Sequence, residues 1–137
     1  MNHQTLQPTD WPRPKGYANG IAAQPGTMVF TGGVVGWDAN SCFPNGIGAQ
    51  TEQAFANIVA ILAEAGAVPA DLVRLTWYVT SRADYLANGL AIGAAYRAAF
   101  GKVFPAMAVV EVTALMETAA LVEIEATAVI AFADRQI

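Results

Sequence analysis

The residues best placed to do chemistry are two glutamates, Glu123 and Glu125, which stand two positions apart. They alternate with Val122, Ile124 and Ala126, the period-two pattern of a half-buried strand with carboxylates on one face. Little else nearby is charged, and a partly buried carboxyl group can exchange a proton with a substrate near neutral pH. On this pattern alone two interpretations stay open: a pair of acid–base residues, or solvated glutamates on an exposed sheet face, which is the commoner case.

A second extended run, residues 105–112, precedes the glutamates and is apolar on both sides until Glu111. In it Met107, Val109 and Glu111 fall on one face and the residues between them fall on the other. The two runs therefore predict two strands, which the rest of the chain must hold in one sheet.

The remaining elements follow from turns and periodicity. Residues 21–24 and 28–31 flank a Pro-Gly turn and predict a hairpin. Residues 49–65 carry apolar side chains at helical spacing, residues 71–80 alternate as a strand does, and residues 81–100 open with a capping pattern typical of a helix. This order predicts an α+β fold with two helices on one face of a sheet, and it leaves the other face to be covered.

The composition predicts a homo-oligomer. The chain has 137 residues, of which 55% are hydrophobic and only 13% are charged. A small monomer has a high ratio of surface to volume and normally carries more charge, so we expect another subunit to cover part of the surface. No linker or repeat interrupts the sequence, which predicts one domain over residues 1–137, with residues 1–16 as an extended, proline-containing lead-in.

Several classes of function are disfavoured by the same composition. The net charge of −4 without a basic stretch argues against nucleic-acid binding, and no apolar run reaches the roughly 20 residues that span a bilayer. The first residues lack the apolar core of a signal peptide, so we expect a cytoplasmic protein without a membrane partner. One cysteine, Cys42, cannot form an intramolecular disulfide, and one histidine, His3, argues against a His-based metal site.

Short motifs follow one another along nearly the whole chain: Gly16-Tyr17, Phe30-Thr31-Gly32-Gly33, a helix over 50–66 with Asn57-Ile58, the strand 72–79, Phe104-Pro105-Ala106 and Val122-Glu123-Ile124-Glu125-Ala126. Each is weak alone, but in this order and spacing the chain resembles the Rid family, the YjgF/YER057c/UK114 group of enamine and imine deaminases. The resemblance implies a chorismate-mutase-like α+β fold, with a mixed sheet of about six strands and two helices on one face. It also implies a homotrimer that binds small molecules at its subunit interfaces.

The resemblance also shows where this chain departs from the family. Members of the best-known type hydrolyse 2-aminoacrylate and related imines to 2-keto acids and ammonia, without a metal or an organic cofactor. An Arg in the pattern Pro-Ala-Arg-Ser grips the substrate carboxylate in them. This chain has Met107 there, and methionine cannot form that ion pair. Arg13, Arg74 and Arg82 are candidate replacement cations, although nothing in the sequence places one of them in the pocket.

Three other family positions keep chemistry that handles protons or hydroxyl groups. Glu123 matches the glutamate that handles the attacking water, Tyr17 matches the pocket tyrosine, and Thr31 keeps the hydroxyl of a pocket serine. We therefore predict Glu123 and Tyr17 as catalytic residues and Thr31 as a substrate-binding residue. They are predicted to act without a cofactor.

The remaining positions make the predicted pocket more apolar. Gly33 replaces a Gln, Val109 takes the place of a frequent Cys, and Gly93 replaces an Asn of the second helix. We predict that Gly33 and Val109 contact the substrate, and that Met107 and Trp37 line an apolar or aromatic subsite.

Three functions stay open. The leading hypothesis is a divergent Rid-family deaminase that releases ammonia from an enamine or imine other than the usual 2-imino acids. The alternative is a non-catalytic trimer that binds a small metabolite in the same clefts. A chaperone-like or interaction role has only the high apolar content in its favour, and burial in a trimer already explains that content.

Overall fold

The computed structural model describes residues 3–135, which form seven strands and three α-helices. The strands are β1 (Gln4–Leu6), β2 (Gly20–Ala22), β3 (Gly26–Phe30), β4 (Val34–Val35), β5 (Leu72–Val79), β6 (Ala106–Glu111) and β7 (Val122–Ala131). The helices are α1 (Ile47–Glu64), α2 (Arg82–Ala87) and α3 (Gly89–Phe100). The predicted α+β class is confirmed. Within this part of the chain, no helix combines the length and the apolar character needed to cross a membrane.

The strand that carries the two glutamates, β7, is the centre of a five-stranded mixed sheet. It pairs antiparallel with β3 and β4 on one edge and with β5 on the other, and β5 pairs in parallel with β6. Even-numbered residues of β7 are buried beneath the helices, whereas Glu123, Glu125 and Thr127 are partly exposed on the opposite face. The alternation seen in the sequence therefore gives the two faces correctly, because side chains of a strand alternate across the sheet.

An aromatic cluster fixes the helices on the sheet. Phe55 of α1 is fully buried, and its ring lies 5.4 Å from Trp77 of β5, 5.6 Å from Tyr96 and 4.9 Å from Phe100, the last two on α3. The tilted and edge-on arrangements are those that aromatic quadrupoles favour. This cluster sets the separation between α3 and the sheet, and the candidate site lies beside it.

The face of the sheet opposite the helices is exposed over much of its area among residues 3–135, and we call it the open face. It combines exposed apolar side chains on β3, Met28 and Phe30 (58% and 64% exposed), with polar side chains on the central strands. The polar members are Arg74, Thr76, Tyr78, Glu123, Glu125 and Thr127.

The predicted hairpin around Pro25 and Gly26 is wrong. β2 pairs with β1, within the predicted lead-in, and β3 pairs with β7 instead. Gly26 belongs to β3, and a Cβ atom there would lie 2.2 Å from the carbonyl oxygen of Ile130. Its missing side chain therefore serves a close backbone approach by β7 rather than a two-stranded turn.

The second predicted helix is divided into α2 and α3 at Asn88. Ser81 caps α2 as expected, with its Oγ accepting a hydrogen bond from the backbone of Asp84. The side chain of Asn88 donates to the carbonyl of Asp84, and Gly89 follows with low helix propensity. The break accounts for three helices where two were predicted.

Candidate functional site

A cavity of about 790 Å³ lies between α2, α3, β5 and β6. Its walls are mainly aromatic and aliphatic, with a few polar groups from the N-terminal segment and α3. The lining residues are Lys15, Gly16, Tyr17, Trp77, Tyr85, Leu86, Gly89, Ile92, Gly93, Tyr96, Arg97, Phe104, Met107 and Val109. A cavity of this size and character is typical of small-molecule sites.

Tyr17 reaches the cavity because the segment before β2 is tied to the beginning of β6. The backbone N–H of Ala18 donates to the carbonyl of Pro105 at 2.9 Å, and Ala18 forms a parallel bridge with Ala106. Gly16 has a φ of 82°, a value that few residues other than glycine adopt easily. The tyrosine is 43% exposed, so its ring stands at the mouth of the cavity.

Met107 and Val109 form the strand wall. They lie opposite Leu75 and Trp77 in the parallel pairing of β6 with β5, so their side chains point to the helix side of the sheet. The strand wall therefore presents the thioether of Met107 and the isopropyl group of Val109 to the cavity. This wall has no group that could pair with an anion.

The helix wall is opened by two glycines and crossed by an arginine. Gly89, Gly93 and Arg97 are spaced by four and lie on one face of α3. An Nη atom of Arg97 lies 3.5 Å from the place of a Cβ atom on Gly93, so the guanidinium runs back over the helix. Arg97 and Lys15 are the cations of the lining, and the predicted candidates Arg13, Arg74 and Arg82 do not contribute to it.

Burial further disfavours the charged form of two tyrosines of the cavity. Burial raises the pKa of Tyr85 and raises that of Tyr96 further. The hydroxyl of Tyr96 donates to the carbonyl of Val103, and its ring stacks on Phe104 at 6.2 Å. The cavity therefore keeps an uncharged aromatic wall across the physiological pH range.

Glu123, Gly33 and Thr31 lie away from this cavity, with Glu123 on the open face. Glu123 is opposite Tyr78 of β5 and Val35 of β4. Its carboxylate lies over Gly33, where a Cβ atom would come within 2.3 Å of Oε2. The absence of a side chain at Gly33 leaves room for this carboxylate.

Thr31 is tied to β7 through its hydroxyl group. Its Oγ1 donates to the carbonyl of Gly32 at 2.8 Å and accepts from the backbone N–H of Ala126 at 2.9 Å. It borders a smaller depression of about 240 Å³ on the open face, together with Arg74 and Glu125. In this arrangement the hydroxyl can offer a substrate a lone pair but not its proton.

Glu125, the second glutamate of the pattern, is engaged by a neighbour. The hydroxyl of Tyr78 donates to its Oε1 at 2.8 Å, and this bond is the main reason why the pKa of Tyr78 is raised. Partial desolvation and the negative charges of Glu125 and Glu123 act in the same direction. The pair of glutamates is thus divided: Glu125 is bound to Tyr78, and Glu123 turns toward Gly33.

Trp37 does not line the cavity of its own chain. Its ring packs against Phe43, with centroids 5.7 Å apart, and its carbonyl accepts from the side chain of Asn57 at 2.8 Å. The shared subsite with Met107 stays a prediction, and a single chain does not bring the two side chains together.

The predicted site residues therefore fall into two groups. Tyr17, Met107 and Val109 meet in the cavity on the helix side, whereas Glu123 lies on the open face beside Gly33. The β5 strand separates them, so one chain cannot hold a substrate against both groups. Lys15, Tyr85, Tyr96 and Arg97 were missed by the sequence reasoning; for Arg97 the four-residue spacing from Gly89 and Gly93 was a usable indication.

Comparison with known proteins identifies the class to which this fold and cavity belong. The family model described as Endoribonuclease L-PSP matches residues 12–130. The chain belongs to this family, the Rid or YjgF/YER057c/UK114 group. No curated protein matches the sequence significantly.

Solved structures of the same family resemble the chain over most of its length. YyfB of Yersinia pestis, described as a Rid-family protein of unknown function, is 35% identical with a TM-score of 0.83, and the match covers 95% of this chain and 100% of YyfB. Rv2704 of Mycobacterium tuberculosis is 36% identical with a TM-score of 0.62, covering 85% and 88% of the two chains. The YjgF gene product of E. coli is 29% identical with a TM-score of 0.65, covering 92% and 98%.

Proposed function

We propose that the protein is a divergent Rid-family deaminase, which hydrolyses an enamine or imine other than the simple 2-imino acids to a carbonyl compound and ammonia. The observation that carries this proposal is a cavity whose β6 wall holds Met107 and Val109 and no cation, and the family resemblance of Tyr17 and Glu123 supports it. Tyr17 and Glu123 occupy the positions that handle protons in the family, whereas Met107 replaces the arginine that grips a small carboxylate. In this proposal the groups that transfer protons are retained, and the arginine that binds the substrate carboxylate is not.

The reactive site forms between two subunits of a homotrimer. The cavity and Glu123 lie on opposite faces of one sheet, so Glu123 reaches a substrate in the cavity only from a neighbouring chain. Exposed Phe30 and Met28 on the open face supply apolar surface for that contact. The same contact between chains would place Trp37 of a neighbouring chain beside Met107 in the predicted subsite.

The reaction needs one water molecule and internal proton transfers. Glu123 takes a proton from water while the water oxygen attacks the imine carbon, and the π electrons of the C=N bond move to nitrogen. Glu123 returns this proton to the nitrogen, which gives a neutral carbinolamine. Glu123 then takes the proton of the carbinolamine hydroxyl and passes it to the nitrogen. The C–N bond breaks with its electrons leaving on nitrogen, and the products are the carbonyl compound and ammonia. Tyr17 donates a hydrogen bond to the substrate, and Thr31 accepts one, because its own proton is bound to Gly32.

The experiment measures ammonia release from imines made in situ by an amino-acid oxidase, alongside aromatic enamines, for the wild type and three variants. We expect the wild type to accelerate hydrolysis of a bulky or aromatic substrate, and Glu123→Gln to lower the rate by about 10²–10⁴-fold. Glu125→Gln is the matched control on the same strand and face, and it should keep most of the activity because Glu125 is engaged by Tyr78. Met107→Arg should gain activity on simple 2-imino acids.

A non-catalytic binding module is the second candidate, and the replacement of the family arginine by Met107 is the observation in its favour. In that case the wild type is silent on every imine, yet a small molecule binds in the cavity with equal affinity to the wild type and Glu123→Gln. A rate that Glu123→Gln leaves unchanged would also rule out the proposed role of this carboxylate.

A further inference from the structure

The cavity is lined by positively charged side chains, although the molecule as a whole is negatively charged. The chain has a formal net charge of −4, yet the cavity lining contains Lys15 and Arg97 and no aspartate or glutamate. Within one chain, the two cations face a largely apolar space with no carboxylate of the same chain in the lining. The proposed function adds one carboxylate, Glu123 of a neighbouring chain, so the lining keeps an excess of positive charge, which favours an anion.

The two cations are placed at the solvent side of the cavity, whereas its apolar residues are buried. Lys15 and Arg97 are both exposed, while Trp77 and Ile92 are only 2% and 5% exposed. Arg97 lies on the same face of α3 as Gly93, and its planar guanidinium lies along the helix wall. An arginine in this position presents a fork of donors that matches a carboxylate.

The volume sets the size of the ligand that such a site can hold. About 790 Å³ lies in the range of cavities that enclose ligands of ten or more heavy atoms, and it far exceeds the space needed by a three-carbon imino acid. Gly89 and Gly93 widen the helix wall, and Met107 provides a flexible, polarisable contact for an apolar or aromatic group.

We propose that the cavity binds a carboxylate with a bulky apolar part, such as an aromatic ring. Arg97, assisted by Lys15, holds the carboxylate from the helix side, and the apolar part packs against Met107, Trp77 and Ile92. This names the substrate class of the proposed deaminase and rests on that function in taking the cavity as its reactive site. In this proposal the residue that binds the anion lies on α3 instead of β6. The carboxylate of the bound ligand lies at the mouth of the cavity, and the apolar part lies inside.

A binding experiment tests the proposal without requiring turnover. The probes are 3-phenylpropionate, its neutral amide 3-phenylpropionamide, and acetate, each titrated calorimetrically into the full-length protein. We expect the wild type to bind 3-phenylpropionate at least about tenfold more tightly than the amide, and acetate at least about tenfold more weakly than 3-phenylpropionate. Arg97→Gln should remove the preference over the amide, and Lys15→Gln should reduce it.

Arg82→Gln is the matched control, because Arg82 is an exposed arginine that lines neither the cavity nor the depression on the open face. It should keep the preference for the carboxylate. Arg97→Lys, which keeps the charge but not the fork, should retain part of it. Equal affinity of the wild type for acid and amide, no binding of either, or an unchanged preference in Arg97→Gln would overturn the proposal.

The outcomes separate this inference from the deaminase proposal. A carboxylate preference that depends on Arg97, in a protein without turnover on any imine, leaves the inference standing and removes the deaminase. Turnover that depends on Glu123 but not on Arg97 supports the deaminase proposal and contradicts the proposed role of Arg97 in binding a carboxylate.

Discussion

At the scale of single residues, the orientation of Glu123 depends on the absence of a side chain at Gly33. The carboxylate occupies the space that a Cβ atom would take, with Oε2 within 2.3 Å of it. Any other residue at this position has to displace the carboxylate. Gly33 therefore acts on the proposed chemistry as a positioning residue, through Glu123.

Gly33→Ala should lower kcat/KM for ammonia release by about tenfold to hundredfold, because a shift of about 1 Å in a catalytic group is enough for such a loss. The melting temperature should change little, since the clashing atom is the end of a flexible side chain. A crystal structure of the variant would show the carboxylate displaced.

Gly32→Ala is the neighbouring control, because no atom lies within 4 Å of the place of its Cβ. Equal activity of the two alanine variants would show that the observed orientation of Glu123 has no part in turnover.

The sequence predicts the site residues that belong to a motif, and it does not predict those that reach the cavity only through packing of distant segments. Tyr17, Met107 and Val109 are predicted from the family resemblance, and the structure places all three in one cavity. Arg97 and Lys15 match no motif, and they line one cavity only because α3 and the N-terminal segment both border it in the folded chain. Such proximity depends on packing between distant segments, which local spacing does not encode.

At the scale of elements, Tyr96 connects α3 to the segment that leads into β6. Its ring belongs to the cluster around Phe55, and its hydroxyl donates to the carbonyl of Val103. Burial disfavours the phenolate, which is why the pKa of Tyr96 is raised. The orientation of the helix wall of the cavity thus depends on a neutral tyrosine.

Tyr96→Phe tests this connection through the pH dependence of stability. At about pH 8 we expect the variant to be less stable by about 1 kcal/mol, the contribution of one hydrogen bond. Above about pH 10 the unfolded tyrosine loses its proton while the folded one keeps it, so the wild type loses stability as pH rises. The deficit of the variant should therefore narrow, as measured by urea unfolding between about pH 8 and pH 11. A constant deficit over this range would contradict the role of burial.

Helices and strands with a strong periodic pattern could be predicted from the sequence. The pairing of the strands with one another could not. Strands β5 and β7 and helix α1 follow from alternation and from an apolar stripe, because each pattern is local. The hairpin at Pro25 was wrong because the pairing partner of β3 is β7, a strand about a hundred residues away. The break at Asn88 depends on one side-chain hydrogen bond that competes with the helix, and composition alone does not show it.

At the scale of the whole molecule, the open face is the surface that a second chain should cover. It carries Phe30, which is 64% exposed, and polar side chains whose burial would require partners. The low charge content of the chain indicates the same need for a covering subunit.

Phe30→Asp should convert the protein from a species of three times 14.4 kDa to smaller ones in sedimentation velocity, because it places a charge in the apolar part of the contact. Leu90→Asp is the control: Leu90 is 93% exposed on α3, and this variant should stay a trimer. A wild type that sediments as a monomer, or a Phe30→Asp variant that still sediments as a trimer, would contradict the assembly.

The placement of Glu123 and the cavity on opposite faces of one sheet also has a kinetic consequence. Under the proposed function a folded chain by itself contains no complete reactive site, and the smallest unit able to turn over is two chains in contact. Below the concentration at which the assembly dissociates, the rate should therefore fall faster than in proportion to the amount of protein. The abundance of the chain in the cell then sets both the number of sites and the fraction of them that is complete.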